Sequence, residues 1–247
     1  MNITGNTILI TGGGSGIGLG LAQALLDHGN TVLIASRSQR TLDAAVAAHP
    51  GLHAYPLDVT DPASIQRVAA QVAADHPTLN VLINNAGIML AENLLDGTAL
   101  PAAEATVTTN LLGPVRVTQA LLPHLLTQPS PVIVNVTSGL ASIPLTRTPT
   151  YSATKAALRS YTESLRHQLR GTPAQVIELA PPYVATELMP GGSHDPHAMP
   201  LNDFIEETMT LLARPGIQEV LVERVLPLRN AALNGTYAQV FRGLNGE

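Results

Sequence analysis

Seven consecutive residues, Gly12-Gly13-Gly14-Ser15-Gly16-Ile17-Gly18, constrain this chain more than any others. A run rich in β-branched residues, Thr7 to Thr11, leads straight into them. Leu19, Leu21, Ala22, Leu25 and Leu26 then follow at helical spacing. Strand, glycine turn and helix in that order form a parallel α/β opening. The turn lets the backbone approach a bound group, and the helix N-terminus offers free N–H groups and its positive dipole end. The anion that such an opening takes in dinucleotide-binding units is a pyrophosphate. Position 17 is Ile, so the strict GxGxxG pattern does not fit from Gly12. The pattern is GxxxGxG, on Gly12, Gly16 and Gly18.

The same alternation continues. Thr31 to Ala35 reads as a second strand, and a ribose-reading acid belongs at its end. The chain has Ser36-Arg37 there instead, which suits the 2′-phosphate of NADP(H) and leaves NAD(H) as the second choice. Ser15 and Arg40 are further candidates to face that phosphate. A helical pattern covers 41–48, and Leu52 to Leu57 is a third strand. Asp58 follows, either accepting from an adenine amine or serving a turn. Asp61-Pro62 opens a helix as cap and first residue. Val81 to Ile83 is a fourth strand, ending in Asn84-Asn85-Ala86-Gly87, where open α/β sheets bind ligands.

A long helix is expected over about 102–126, kinked by Pro114, with Asn110 beside the kink. An amide there can bond a freed backbone carbonyl and a water. Val132 to Val136 is a fifth strand with Ser138 just past its end. A helix carrying Tyr151 continues to about Arg170, a sixth strand spans Gln175 to Leu179, and a seventh about Glu219 to Val222. Repeated strand–helix alternation without linkers or repeats implies one α/β domain, 1–247, built on a doubly wound parallel sheet of about seven strands with helices on both faces.

The chemistry concentrates at Tyr151-Ser152-Ala153-Thr154-Lys155. Of 13 basic residues, Lys155 alone is lysine. Arginine serves every other cationic position, so 155 needs a compact point charge that a planar guanidinium cannot supply. Four residues apart on a helix, Tyr151 and Lys155 share a face. A cation beside a phenol lowers its pKa, which would make Tyr151 a general acid/base near neutrality. A lysine in that role is expected to accept replacement by arginine without loss of stability but with loss of turnover.

Composition narrows the rest. Net charge is −5 and aromatics are 3%, so neither a basic footprint nor stacking platforms point to nucleic acid. With no cysteine there is no thiolate metal site or thiol nucleophile. His194 and His197 stand without a supporting acid-and-histidine set, so no metal is expected. The chain shows neither a signal-peptide pattern nor an apolar stretch of membrane-spanning length. A cytoplasmic protein is the expectation. The segment near 183–212, rich in Pro, Gly and Met at its start, is the expected lid. A helical tail near 228–245 carries an apolar stripe of Leu233, Tyr237, Val240, Phe241 and Leu244, expected to cover the chain's own sheet, with a dimer contact as the second reading and a membrane surface as the third.

Taken together, Thr11 to Gly18, Asn84 to Gly87, Asn110, Ser138 and Tyr151 with Lys155 resemble the short-chain dehydrogenase/reductase family across nearly the whole chain. Asn110 to Pro114, Leu165 to Leu169 and Glu178 to Pro182 are similar to its DltE-like oxidoreductase branch. The resemblance implies a Rossmann sheet, a nicotinamide cofactor, carbonyl–alcohol hydride transfer on a small molecule, and a homo-oligomer, dimer or tetramer. It implies that Tyr151 exchanges the proton, Lys155 bonds the nicotinamide ribose and lowers the tyrosine pKa, Ser138 holds the substrate oxygen, and Asn110 positions a relay water. It adds Ile17, Val59, Asn85, Ala86, Gly87, Pro181, Val184 and Thr186 to the cofactor contacts. Pro182 departs from the usual glycine and stiffens entry to the segment of Val184 and Thr186. Competing readings are a catalytically idle NADP(H)-binding regulator, and an isomerase or dehydratase on the same fold.

Overall fold

A computed structural model describes residues 1–246. Seven parallel strands form one sheet in the order β3-β2-β1-β4-β5-β6-β7. They are β1 Thr7–Thr11, β2 Thr31–Ser36, β3 Leu52–Pro56, β4 Leu79–Asn84, β5 Val132–Val136, β6 Gln175–Leu179 and β7 Glu219–Val220. The order reverses between β1 and β4, and that switch point opens a crevice at the carboxyl ends of the strands.

Period-two alternation along buried strands sends apolar side chains to both faces. Ile8, Ile10, Ile34, Val81, Ile83 and Val134 point to one layer, built by helices α1 (Gly16–Asp27) and α2 (Gln39–Ala48) and later by Phe204. Leu9, Leu33, Leu82, Ile133 and Val176 point to the other, against α3 (Pro62–Asp75) and the helices that follow β4 and β5. The caps agree with the sequence. Ser38 accepts from the Thr41 N–H at 3.2 Å, and Asp61 from Ala63 at 2.9 Å with Pro62 first in α3.

Three expectations need correction. The single kinked helix over 102–126 is two helices, α4 (Leu100–Val107) and α5 (Gly113–Leu125), joined by a π-turn at Thr108–Leu112. Pro114 has no N–H to offer the carbonyl four residues back, which is that of Asn110. The turn widens, and Gly113 N–H bonds the Thr108 carbonyl instead. Of the expected lid, Leu201–Leu212 is helix α7, packed on α1: a Cβ on Gly20 would meet Ile205 at 2.9 Å, and Phe204 is buried. Only 183–200 is loop. The tail is not one stripe over the sheet. It is α8 (Leu226–Arg229) and α9 (Tyr237–Leu244), with Leu233 87% exposed between them. α9 is anchored through Asn245, which accepts from Thr146 N–H at 2.7 Å and donates to the Pro144 carbonyl at 3.2 Å. α6, the helix of Tyr151 and Lys155, spans Pro149–Gln168. No helix is long and apolar enough to cross a membrane among the described residues.

Candidate active site

The glycine turn is fixed to the end of β4. Thr11 Oγ1 accepts the N–H groups of Asn85 at 3.0 Å and Ala86 at 3.1 Å. The Asn85 amide donates to the carbonyls of Thr11 at 3.0 Å and Gly12 at 3.2 Å. Its side-chain amide therefore ties the glycine turn to the end of β4. Gly12 has a φ of 67°, and a Cβ there would lie 2.9 Å from the Ala86 Cα. A Cβ on Gly18 would stand 2.3 Å from the Gly12 carbonyl oxygen. Backbone cannot yield as a flexible side chain does. Gly18→Ala is accordingly expected to destabilise the protein by about 1–3 kcal/mol, read by urea unfolding.

Ser15 is the exposed N-cap of α1 and makes no side-chain cap bond. The first N–H groups of the helix, from Gly16, Ile17 and Gly18, thus face the crevice without a side-chain acceptor. This open helix end beside a glycine turn fits a pyrophosphate. Ser36 Oγ lies 3.6 Å from where a Gly14 Cβ would stand, and it accepts from Ser38 N–H at 3.3 Å. Arg37 and Arg40 are exposed next to it. Asp58 serves a turn: its Oδ1 accepts the Thr60 N–H at 2.8 Å and the Thr60 hydroxyl at 2.7 Å. Burial pushes its pKa up, but Thr60 and the charge of Arg37 outweigh burial, and the carboxyl ends below its ordinary value. Buried Val59 packs 3.2 Å from a Cβ position on Gly113, a contact between elements under the crevice.

Ser138, Tyr151 and Lys155 are all buried, at 9%, 5% and 4% exposure. Lys155 is therefore no surface lysine. Its Nζ donates to the Val136 carbonyl at 2.8 Å and lies 5.5 Å from the Tyr151 ring centroid. Ser138 Oγ accepts the Leu140 N–H at 3.1 Å at the start of a 3₁₀ turn, Gly139–Ala141. Asn110 is fully buried in the π-turn, with Oδ1 taking the Ile88 N–H and Nδ2 giving to the Ile88 carbonyl, both at 2.8 Å. It thereby holds the strand-end segment after Gly87 instead of bonding its own helix.

The pKa expectation is overturned in direction. Burial pushes Tyr151 up to about 12, and the Ser138 hydroxyl only partly offsets this. Burial pushes Lys155 down to about 8. Desolvation disfavours both charged forms. At neutral pH the phenol keeps its proton.

One contributor escapes the sequence reading. Glu92, in the loop after β4, takes the Thr150 hydroxyl on Oε2 at 2.7 Å and the Thr150 N–H on Oε1 at 3.2 Å. It caps the helix one residue before Tyr151 and satisfies an otherwise free N–H. No local spacing signals this, because 58 residues separate the partners. Thr11 opens the glycine motif in sequence, and its hydroxyl, by taking the Asn85 and Ala86 N–H groups, joins the two halves of the crevice.

The loop after β6 crosses the cleft. Val184 is buried and bridges Met199, so its side chain belongs to the core. Thr186 Cγ2 lies 3.4 Å from a Cβ position on Gly16, over the turn. The Pro181 carbonyl accepts Gly139 N–H at 2.9 Å, tying this loop to the end of β5. His194 and His197 lie in the same loop, and the His197 carbonyl accepts from Arg224 at 2.7 Å. No group of three His, Cys, Asp or Glu side chains gathers as a metal site among the described residues.

The model of the short chain dehydrogenase family matches residues 6–196. The uncharacterized oxidoreductase DltE of Bacillus subtilis is 40% identical over 99% of this chain and 98% of its own length. The 3-oxoacyl-[acyl-carrier-protein] reductase FabG of Thermotoga maritima is 32% identical over 76% of this chain and 78% of its own. Among solved structures, a short chain dehydrogenase from Burkholderia cenocepacia in complex with NADP superposes with a TM-score of 0.84 at 26% identity, covering 98% of each chain. With the seven-stranded parallel sheet, the glycine turn and the buried tyrosine–lysine pair, these similarities establish that the chain belongs to the short-chain dehydrogenase family of oxidoreductases.

Proposed function

We propose that the protein transfers hydride between NADP(H) and a carbonyl or alcohol on a small molecule, with Tyr151 as general acid/base. The observation that carries this reading is a buried phenol, its pKa pushed up by burial, beside a buried ammonium and a serine hydroxyl at the carboxyl end of the sheet. The open N-terminus of α1 with Gly12 to Gly18 holds the pyrophosphate, and Lys155 reaches the nicotinamide ribose. The bound nicotinamide supplies or accepts the hydride.

In the reducing direction Ser138 and Tyr151 hold the substrate oxygen between two hydroxyls. Tyr151 gives that oxygen its proton and becomes a phenolate. A buried phenolate is costly alone, and the adjacent Lys155 charge stabilises it in a poorly screened site. Because burial lowers Lys155 to about 8, it sheds a proton readily and can restore the phenol. The Asn110 carbonyl, which Pro114 cannot satisfy, holds the water that returns a proton to Lys155. Reduction needs the charged ammonium, so turnover is expected to fall as pH rises through about 8. Activity is tested by following NADPH oxidation over ketones, aldehydes, quinones and oxoacyl thioesters. Consumption with at least one class supports the reading, and NADPH binding with no consumption opposes it.

Cofactor choice rests on Ser36 and Arg37, and solved relatives 26% identical to this chain hold NADP or NADP+. NADPH is expected to bind more tightly than NADH, and Ser36→Asp with Arg37→Ala to reverse the order. Each charge-assisted bond to the 2′-phosphate is worth about 1.5–3 kcal/mol, roughly ten- to a hundredfold in Kd. Calorimetry giving equal affinities in the parent protein would defeat this.

A further inference from the structure

Thr137 and Gly139 flank Ser138, and both are held from outside their own strand. The Thr137 hydroxyl donates to Glu178 Oε1 at 2.6 Å. A Cβ on Gly139 would lie 2.7 Å from Leu228 of α8, so the C-terminal segment packs directly on the residue after Ser138. Glu178 is 1% exposed, at the edge of a layer whose interior is mostly hydrocarbon. In register it pairs with Asn135 on β5 and Glu219 on β7, and Asn135 pairs with Asn84 on β4. A polar row thus crosses the carboxyl ends of four strands. Asn84 and Asn135 bond each other and the hydroxyls of Thr118 and Thr162.

Glu178 is satisfied by charge as well. Arg229 of α8, its side chain only 7% exposed, places Nη2 3.1 Å from Glu178 Oε2 and bonds Glu219 with the same nitrogen. Arg159, one turn beyond Lys155 on α6, approaches the same Oε2 at 3.9 Å. One carboxylate therefore meets the residue before Ser138, the helix of Tyr151 and Lys155, and the C-terminal segment. A carboxylate at this depth is tolerated only with its charge paired and its lone pairs bonded.

We propose that Glu178 is a positioning residue for Ser138. Neutralised by Arg229, its carboxylate fixes Thr137 and so sets where the Ser138 hydroxyl stands against Tyr151. The C-terminal segment is thereby part of the frame of the active site. This rests on the reading of Ser138 as the group that holds the substrate oxygen.

The test compares Thr137→Val, Thr137→Ser and Arg229→Met, each with Ser138 intact and in a Ser138→Ala background. With Ser138 present, Thr137→Val and Arg229→Met should lower kcat about tenfold while the Kd of NADPH changes less than twofold, and Thr137→Ser should restore kcat. In the Ser138→Ala background the same changes should cost less than twofold more, because the group they position is gone. Hydrogen exchange gives a second reading that needs no substrate. Amides of residues 138–141 should exchange at least tenfold faster in Thr137→Val, with residues 12–18 unchanged. Equal losses in both backgrounds, unaltered kcat in folded variants, or exchange that rises equally in both segments would overturn the proposal. A parent protein without carbonyl turnover would count against the functional reading alone, and the exchange data would still decide the positioning claim.

Discussion

Lys155→Met is expected to melt higher than the parent protein without cofactor, while losing turnover. Lys155 is a buried ammonium whose one hydrogen bond goes to the Val136 carbonyl. Burial lowers its pKa from an ordinary 10.5 to about 8. A depression of that size corresponds to roughly 3 kcal/mol lost to keeping the charged form inside. Methionine fills a similar volume without charge. Its cost is the unpaired Val136 carbonyl, about 1–2 kcal/mol. The difference favours the variant by about 1–2 kcal/mol, or about 2–8 °C in Tm for a chain of this size. The pH dependence has a definite sign. Between about 8 and 10.5 the unfolded chain keeps a proton that the folded chain has released, so parent stability rises with pH in that window. The advantage of methionine should be full below about pH 8 and gone above about 10.5. Thermal melts at pH 7 and pH 10 check both points. Destabilisation at pH 7 would mean that the lysine earns its place structurally.

For Lys155→Arg the burial of the site argues against unchanged stability: at 4% exposure a wider guanidinium must displace its neighbours, so a lower Tm is expected together with lost turnover.

Sequence made the sheet legible because most strands are short, largely apolar and followed by a helical pattern, from Thr7–Thr11 onward. It made Tyr151 and Lys155 legible because both lie on one helix, where spacing fixes the face. What escaped depends on contacts between distant segments. The Asn85 amide also holds the glycine turn, across 73 residues. Glu92 caps α6 from another loop. Pro114 announced a break in the helix, but the π-turn also needs Ile88 to occupy the Asn110 amide. The direction of the Tyr151 pKa failed for the same reason, because burial is a tertiary property that a spacing of four cannot reveal. The tail misled because its apolar spacing is regular although Leu233 lies in solvent.

Tyr151→Phe tests the central claim most directly. The change removes one hydroxyl and keeps the ring, so packing against the sheet survives and stability should shift by no more than about 1 kcal/mol. The hydroxyl is the proton that reduction needs: burial holds it on the oxygen, up to about 12, until the substrate oxygen takes it beside the Lys155 charge. Ser138 is a poor substitute, because an alkyl hydroxyl gives up its proton far less readily than a phenol. Loss of general acid catalysis is expected to lower turnover by about a hundred- to ten-thousandfold. The glycine turn and the α1 N-terminus are untouched, so NADPH should bind with an unchanged Kd. The measurement is NADPH oxidation by parent and variant, side by side with the carbonyl class that the parent reduces, with NADPH affinity from calorimetry. Turnover near background with unchanged affinity is the expected result; turnover within a few-fold of the parent would place the proton donor elsewhere and contradict the account.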